Sequence, residues 1–351
     1  MGDVQKRVPH VRVVVDENDV ERGAMRILEQ IRPRWEKDSV EFKLLTDGIT
    51  NKLVGCRPAE AEESETVLVR IYGNKTDLLI DRKAETRNFI LLNKVDLAPD
   101  LYATFDNGLA YRFIPGNTLD QETVRDPHIY RLVAKRMAKL HKVKVKGEEH
   151  PQPFLWDKMS SFLELVPDVF SDSKKNERYR ECIMSKAQIE GELRELRNAL
   201  KNSDSPVVFA HNDLLLGNVI YTQSEDSVTF IDFEYAAFSY QAYDIGNHFA
   251  EFVGIGTDLD YSLYPDKELQ TDWIRTYLAE YHGREPKEEE VEKLYVQANQ
   301  FVLAAHLFWG IWALIQAEHS YIDFDYMEYA DLRLREYFAK KSVCALFNGS
   351  S

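Results

Sequence analysis

The sequence predicts an α+β protein that has a small β-rich N-terminal lobe and a larger, mainly helical C-terminal lobe. Three observations favour this fold class. Short apolar segments bounded by turn residues dominate before residue 115, the tripeptide Ile114-Pro115-Gly116 interrupts them, and long segments with helically spaced apolar residues follow. The chain has 351 residues, which is enough for two lobes with a cleft between them. We therefore predict two domains, at 1–115 and at 116–351.

The N-terminal lobe is predicted to begin with a helix at 19–35, where apolar residues recur at helical spacing as far as Pro33. Segments rich in β-branched and aromatic residues follow, and Asp-Gly and Asn-Gly turns separate two pairs of them. This pattern predicts strands at 42–45, 52–56, 66–72, 101–105 and 109–114, together with a helix at 82–95.

The C-terminal lobe is predicted to be mainly helical. The spacing of apolar residues predicts a helix at 129–141, further helices within 162–200 and a long helix at 291–317. Two short apolar segments, at 207–210 and 228–231, interrupt this pattern and predict strands, each of which ends at a polar cluster.

The composition excludes several classes of protein. The formal net charge is −15, whereas a nucleic-acid-binding surface concentrates positive charge. The three cysteines are widely spaced, which argues against a zinc motif or a disulfide framework and favours a reducing compartment. The first residues lack the apolar region of a secretory signal, and we expect no uncharged apolar run to reach the length of a membrane span. The sequence thus predicts a cytoplasmic protein that binds no nucleic acid and spans no membrane.

Polar residues at the ends of the two predicted strands carry the strongest functional signal. Asp213 and Asn218 lie five residues apart after the first strand, and Asp232 follows the second. Kinases use this arrangement: one aspartate accepts the proton of the substrate hydroxyl, while the asparagine and the second aspartate bind Mg²⁺. Asp and Asn also stabilise turns at strand ends, and this is the better interpretation for Asp213 taken alone. Together the three residues predict a catalytic base and two metal ligands.

The N-terminal lobe supplies candidate nucleotide-binding residues. Arg70, in the predicted strand at 66–72, stands where kinases keep the lysine that pairs with phosphates, and Glu85 in the following helix is placed to pair with it. A surface ion pair is the alternative for these two residues. A turn at the position expected to cover phosphates completes the set, and its residues are Asp47, Gly48, Thr50 and Asn51.

Longer motifs extend these local signals over most of the chain. They are HNDLLLGN at 211–218, IDFEYAAFSYQAYDIGNHFAEF at 231–252, FVLAAHLFWGIWALIQA at 301–317, IDFDYMEYA at 322–330, TDGITNKLV at 46–54 and VLVRIYG at 67–73. With these motifs the chain resembles the choline/ethanolamine kinase family, and within it the ethanolamine-phosphorylating members, from about residue 16 to about residue 340.

This resemblance implies a bilobal, protein-kinase-like fold that uses ATP and Mg²⁺. It implies transfer of the γ-phosphoryl group of ATP to ethanolamine, the first step of the CDP-ethanolamine route to phosphatidylethanolamine. For individual residues, it implies a catalytic base at Asp213, metal ligands at Asn218 and Asp232, and nucleotide-side roles for Arg70, Glu85 and the turn before them.

The resemblance also implies an amino-alcohol site made largely of aromatic residues. An aromatic pair on one helix face attracts a cation, and a carboxylate can neutralise an ammonium directly. An aromatic stripe in the hydrophobic core is the alternative. The residues implied are Tyr235, Glu251, Trp309, Trp312, Phe324, Tyr326 and Tyr329.

Several alternatives stay open at this point. The segment Leu214-Leu215-Leu216 replaces the Cys-Gln-Glu of choline kinases, but leucine has no hydrogen-bonding side chain that would explain selectivity. A choline or dual kinase, an aminoglycoside-type phosphotransferase and a pseudokinase-like scaffold are the alternatives. The helix at 19–35 either mediates a homodimer or packs within its lobe. Asp244 is predicted to hold the catalytic loop, and His306 to be a packed helix residue.

Overall fold

The computed structural model describes residues 8–16, 18–47, 51–73, 79–320 and 322–347. The chain divides into unit 1, made of Met1–Asn117 and Thr222–Glu234, and unit 2, made of Thr118–Tyr221 and Tyr235–Ser351. Unit 1 therefore includes a second segment of the chain, Thr222–Glu234, and this segment contains Asp232. The assignment of a function to each predicted domain, 1–115 and 116–351, stays a prediction.

A six-stranded sheet is the framework of unit 1. Neighbouring strands are antiparallel except for the first and fifth, which are parallel. The five predicted strands are confirmed as the second to sixth, whereas the first has two residues and is too short to show a periodicity. In chain order the strands are β1 (His10–Val11), β2 (Val40–Asp47), β3 (Asn51–Pro58), β4 (Val67–Tyr72), β5 (Leu101–Phe105) and β6 (Gly108–Arg112), and their order in the sheet is β1-β5-β6-β4-β3-β2.

Two predicted helices of unit 1 are present as α1 (Val20–Ile31) and α2 (Arg82–Asn93). Helix α1 ends before Pro33, as predicted, and buries one face in a hydrophobic core shared with alternate residues of β4. The core residues of β4 are Val67, Val69 and Ile71. Because successive side chains of a strand point to opposite faces, Arg70 lies on the face of β4 away from this core.

Unit 2 is mainly helical, as predicted. Three of its helices were not predicted. Helix α7 is buried on all sides, whereas α8 and α10 each bury one side, which in α8 contains Trp273, Ile274, Tyr277 and Leu278. The helices are α3 (Pro127–His141), α4 (Leu155–Leu165), α5 (Ser173–Cys182), α6 (Lys186–Leu200), α7 (Gln241–Ala250), α8 (Lys267–His282), α9 (Glu288–His319) and α10 (Tyr326–Val343). The later strands are β7 (Asn117–Thr118), β8 (Val207–Ala210), β9 (Val219–Thr222), β10 (Ser227–Phe230) and β11 (Ala237–Tyr240).

The C-terminal half of helix α9 is buried in the core of unit 2. Every residue from 301 to 317 is buried, including His306, as predicted. By length and composition alone α9 could cross a membrane, so the expectation that no run reaches this length is wrong. However, 89% of its most apolar stretch is buried within the protein, as in core helices, which pass the same test.

Candidate active site

The side chain of Arg70 is buried among three carboxylates in unit 1. Its Nη1 lies 3.1 Å from Glu85 Oε1, and its Nη2 lies 2.9 Å from Asp232 Oδ1 and 2.6 Å from Glu234 Oε2. Burial by itself lowers the pKa of Arg70, but Asp232, Glu85 and Glu234 outweigh it and hold the pKa well above its ordinary value. The predicted pair of Arg70 and Glu85 is therefore present and buried, and its role in nucleotide binding stays a prediction.

Two local features bring the carboxylates to Arg70. The Asp81 side chain accepts the backbone N–H groups of Lys83 and Ala84, each at 3.0 Å, and so caps α2 with Glu85 in its first turn. Asp232 has a left-handed backbone with φ 62°, a conformation that aspartate tolerates better than most residues. The next residue, Phe233, is buried and packs edge-on against Phe89 of α2.

Glu234 is a residue of this cluster that sequence reasoning missed. Besides Arg70, its Oε2 contacts Arg82 Nη1 at 3.3 Å, and Arg82 in turn contacts Glu85 Oε2 at 3.1 Å. Burial, together with the negative charge of Asp232, raises the pKa of Glu234 to about 7. The available signal was its place two residues after Asp232, on the far side of a buried phenylalanine.

The structure describes only the edges of the predicted phosphate-covering turn. Gly48 and Thr50 lie outside the described residues, and Asp47 is described only as the last residue of β2. Asn51 begins β3, and its Nδ2 donates to Glu234 Oε2 at 3.4 Å. The contact connects β3 to the carboxylate cluster, while the roles of all four residues in nucleotide binding stay predictions.

The carboxylates of unit 1 have the chemistry of a magnesium site. One oxygen from each of Glu85, Asp232 and Glu234 lies within 4.8 Å of the others, and Mg²⁺ prefers such oxygen ligands. The Asp232 side chain is 27% exposed, whereas those of Glu85 and Glu234 are 0% and 3% exposed. Asp232 is thus the carboxylate of this group that an incoming ion reaches most readily. Asn218 belongs to unit 2, so its pairing with Asp232 stays a prediction.

The predicted catalytic loop follows β8 in unit 2. Asn212 has a left-handed backbone with φ 65°, and its Nδ2 donates to the carbonyl oxygens of Tyr235 at 3.0 Å and Ala237 at 3.3 Å. Asp213 comes next and is 9% exposed. Asn218 Nδ2 donates to the carbonyl oxygen of Asp213 at 2.9 Å, so the loop folds back on itself. The structure therefore brings Asp213 and Asn218 together, as their spacing predicts.

Asp244 in α7 fixes the backbone of this loop. Its carboxylate accepts the N–H of His211 at 3.0 Å and the N–H of Asn212 at 2.6 Å, and it contacts His141 Nε2 at 2.8 Å. Burial raises the pKa of Asp244, but the hydrogen bond from His141 and its neighbours' charges outweigh it, so that the pKa lies below its usual value. The prediction that Asp244 holds the catalytic loop is confirmed.

The three leucines of the loop have a packing role. Leu214 and Leu216 are buried and Leu215 is partly exposed. His248 Nδ1 lies 2.8 Å from the carbonyl oxygen of Leu214, and burial lowers the pKa of His248 to about 4. The imidazole is therefore neutral at pH 7, and its Nδ1–H donates to the loop.

The six predicted aromatic residues of the amino-alcohol site form one connected group in unit 2, which we name the aromatic cluster. The ring contacts, given as centroid distances, join Tyr235 to Trp309 (5.4 Å), Trp309 to Trp312 (5.6 Å), Trp312 to Tyr326 (5.9 Å), Tyr326 to Phe324 (4.7 Å) and Phe324 to Tyr329 (5.8 Å). Trp312 Nε1 donates to the Tyr235 hydroxyl at 3.0 Å. The faces of such rings attract cations, and the binding of an ammonium group by this cluster stays a prediction.

Asn247 connects the aromatic cluster to the catalytic loop. Its Oδ1 accepts the indole N–H of Trp309 at 2.8 Å, and its Nδ2 donates to the carbonyl oxygen of Asn212 at 3.4 Å. Asn212 is the residue before the predicted base Asp213. A single buried amide therefore ties one ring of the cluster to the backbone that carries the base.

Glu251, at the end of α7, is already paired with a cation. Its Oε1 accepts a hydrogen bond from Arg333 Nη1 at 2.9 Å, and the same nitrogen donates to the Tyr329 hydroxyl at 3.3 Å. Sequence reasoning missed Arg333, although it stands four residues after Tyr329 and so shares a face of α10 with it. Contact between Glu251 and a substrate ammonium stays a prediction.

Comparisons with known proteins place the chain in a family. The family model described as choline/ethanolamine kinase matches residues 42–338. The ethanolamine kinase of Drosophila melanogaster is 46% identical over 95% of this chain and 80% of its own length, and ethanolamine kinase 1 of Homo sapiens is 47% identical over 95% and 75%. The solved structure of an ethanolamine kinase of Plasmodium vivax is similar with a TM-score of 0.82 and 29% identity, over 92% of this chain and 89% of that one. The predicted fold class is confirmed by this likeness.

Proposed function

Because the chain belongs to the choline/ethanolamine kinase family, we propose that it transfers the γ-phosphoryl group of ATP to the hydroxyl group of ethanolamine. The products are phosphoethanolamine and ADP. In this proposal the enzyme works in the cytoplasm at the first step of the CDP-ethanolamine route. Its three free cysteines are compatible with a reducing compartment.

The observation that carries the proposal is the connection between the aromatic cluster and the catalytic loop. Asn247 contacts both Trp309 and the backbone of Asn212, so a cation bound by the cluster has a defined position relative to Asp213. Ethanolamine has an ammonium and a hydroxyl separated by two carbons. Its hydroxyl therefore stays close to its ammonium group, which suits an acceptor bound by a cation site that is connected to the catalytic loop.

In the proposed reaction each group of residues has a separate role. Asp213 accepts the proton of the ethanolamine hydroxyl as the oxygen attacks the γ-phosphorus. Asn218 and Asp232 hold Mg²⁺, which when bound neutralises phosphate charge. Arg70, held by Glu85, pairs with the nucleotide phosphates. The aromatic cluster and Glu251 bind the ammonium, and each cation–π contact is worth about 0.5–2 kcal/mol.

A side-by-side kinetic assay tests the proposal. The purified protein, ATP and Mg²⁺ are incubated with ethanolamine, choline or an aminoglycoside, and kcat/KM is measured for each acceptor. We expect ethanolamine to be the best of the three. Equal or greater turnover of choline would reassign the enzyme as a choline or dual kinase, and a preference for the aminoglycoside would overturn the amino-alcohol site.

Substitution of the base separates a kinase from a nucleotide-binding scaffold. Asp213→Asn keeps the shape of the side chain but removes its ability to accept a proton, so we expect kcat to fall by about 10²–10⁴-fold while the protein stays folded. A scaffold would instead show thermal stabilisation by Mg-ATP without product in the wild type. A homodimer, the other prediction from the sequence, is checked by sedimentation equilibrium.

A further inference from the structure

We infer that Arg333 is a positioning residue for the ammonium group of the substrate, because it fixes the carboxylate of Glu251 and the ring of Tyr329 in one buried, hydrogen-bonded unit. This inference rests on the proposed function. It deepens that function by adding a residue that does not touch the substrate but determines where two substrate-binding groups stand.

The first argument is geometric. Glu251 follows α7 and Tyr329 lies in α10, so nothing in the chain's local structure holds these two side chains together. Arg333 Nη1 contacts both, at 2.9 Å from Glu251 Oε1 and 3.3 Å from the Tyr329 hydroxyl. A single nitrogen of Arg333 thus fixes the position of the Glu251 carboxylate relative to the Tyr329 ring.

The second argument is electrostatic. Glu251 is 4% exposed and Arg333 is 0% exposed. A carboxylate buried this deeply is unfavourable unless a cation lies beside it. Burial lowers the pKa of Arg333, but the neighbouring Tyr329 and Glu251 raise it by a larger amount. The guanidinium therefore stays charged. Arg333 therefore supplies the counter-charge for the buried carboxylate of Glu251.

The third argument concerns the oxygen that Arg333 leaves unused. Glu251 Oε1 is engaged, whereas no hydrogen bond to Oε2 is found from any residue that the structure describes. A primary ammonium has three N–H donors and can bond to such an oxygen. With Oε1 fixed by Arg333, the carboxylate offers Oε2 in one orientation, and this is what positions the ammonium.

Kinetics of substituted proteins test the inference. We expect Arg333→Met to raise KM for ethanolamine at least about tenfold, since a hydrogen bond between charged groups is lost, with KM for ATP unchanged within about twofold. Arg333→Lys keeps the charge and should recover part of the loss. Arg335→Met is the matched control, because Arg335 lies on the same helix with its side chain 71% exposed and should leave both constants unchanged.

A double-mutant cycle shows whether Arg333 acts through Glu251. In the Glu251→Gln background, Arg333→Met should raise KM for ethanolamine by less than about threefold, because the two residues act as one unit. Equal effects of Arg333→Met in both backgrounds, or equal changes in KM for ATP and ethanolamine, would overturn the inference. If Arg333→Met alone does not fold, the inference is tested with Arg333→Lys and with the double variant that combines Glu251→Gln and Arg333→Met. Neither of these leaves an unpaired charge buried in the protein.

The wild-type assay keeps the two proposals apart. A wild type that phosphorylates no amino alcohol overturns the proposed function and this inference with it. A wild type that phosphorylates ethanolamine, combined with an Arg333→Met variant whose KM for ethanolamine matches that of the wild type, overturns the inference alone.

Discussion

Asp244 accepts a hydrogen bond from the backbone N–H of Asn212 at 2.6 Å, although the two residues lie 32 positions apart in the chain. Asn212 has a left-handed backbone, which costs energy for a residue other than glycine. The bond to Asp244 offsets this cost. The conformation that places Asp213 is therefore imposed by a buried carboxylate on α7 and not by the loop itself.

Asp244→Asn is predicted to impair both stability and turnover. The amide has one acceptor oxygen where the carboxylate has two, so one of the loop N–H groups or His141 loses its partner. We expect the free energy of unfolding to fall by about 2–4 kcal/mol and kcat to fall at least about tenfold. Urea unfolding and steady-state kinetics measure the two effects. Asp168→Asn, at an exposed position of unit 2, is the control, and equal behaviour of the two variants would contradict the prediction.

The sequence predicted those features that depend on neighbouring residues. The strands of unit 1 follow from β-branched segments and Asp/Asn-Gly turns, and Asp213 and Asn218 follow from their spacing on one loop. Helix α7 was not predicted, because its polar residues, such as Asp244 and Asn247, are buried together with its apolar ones and only their partners in the fold explain this. Glu234 and Arg333 bind partners 164 and 82 positions away in the chain, so their places next to Asp232 and Tyr329 were not enough to identify their roles.

Arg70→Lys is predicted to weaken nucleotide binding. The guanidinium reaches three carboxylates with two nitrogens, whereas lysine has a single nitrogen. At least one buried carboxylate then loses its partner, so we expect a loss of about 3 kcal/mol in the free energy of unfolding. We also expect KM for ATP to rise at least about tenfold.

Arg112→Lys is the control for this change. Arg112 ends the neighbouring strand β6, and its side chain is 49% exposed beside Asp100. Arg112→Lys should alter neither the free energy of unfolding nor KM for ATP. If Arg70→Lys behaves like Arg112→Lys in ATP titrations and in urea unfolding, the buried cluster has no role in nucleotide binding.

His248 is predicted to make the protein sensitive to mild acid. Its pKa in the folded protein is about 4, against about 6.5 in an unfolded chain, so between these values the unfolded chain binds a proton that the folded protein does not. Its stabilising contribution is complete above about pH 6.5 and decreases by roughly 3 kcal/mol as the pH falls to 4. Urea unfolding at several pH values measures this decrease.

His248→Gln removes this titration while its side-chain amide can still donate to Leu214. The free energy of unfolding of the variant should therefore fall less steeply than that of the wild type between pH 6.5 and 4. His306 also has a lowered pKa because it is buried, but it is present in both proteins and cancels in the comparison. His150→Gln, at an exposed position, should keep the wild-type slope. Parallel curves for the wild type and His248→Gln would show that His248 is not the cause.

Gly246 is predicted to be required for the packing of α7 against α9. A Cβ atom at this position would lie 2.5 Å from the carbonyl oxygen of Ala298 and 3.2 Å from the backbone nitrogen of Val302. Both atoms belong to the backbone of α9 and cannot turn away, so the helices must separate. We expect Gly246→Ala to lower the free energy of unfolding by about 1–3 kcal/mol, as overpacking does.

The same substitution at Gly191 provides a control with the opposite sign. Gly191 lies in α6, and a Cβ there would meet nothing within 4 Å. Gly191→Ala should therefore stabilise the protein by about 0.4–1 kcal/mol, because it restricts only the unfolded chain. Since α7 carries Asp244 and Asn247, Gly246→Ala should also lower kcat, whereas Gly191→Ala should not. Two alanine variants with equal stability and equal kcat would mean that α7 can shift away from α9 without disturbing the catalytic loop.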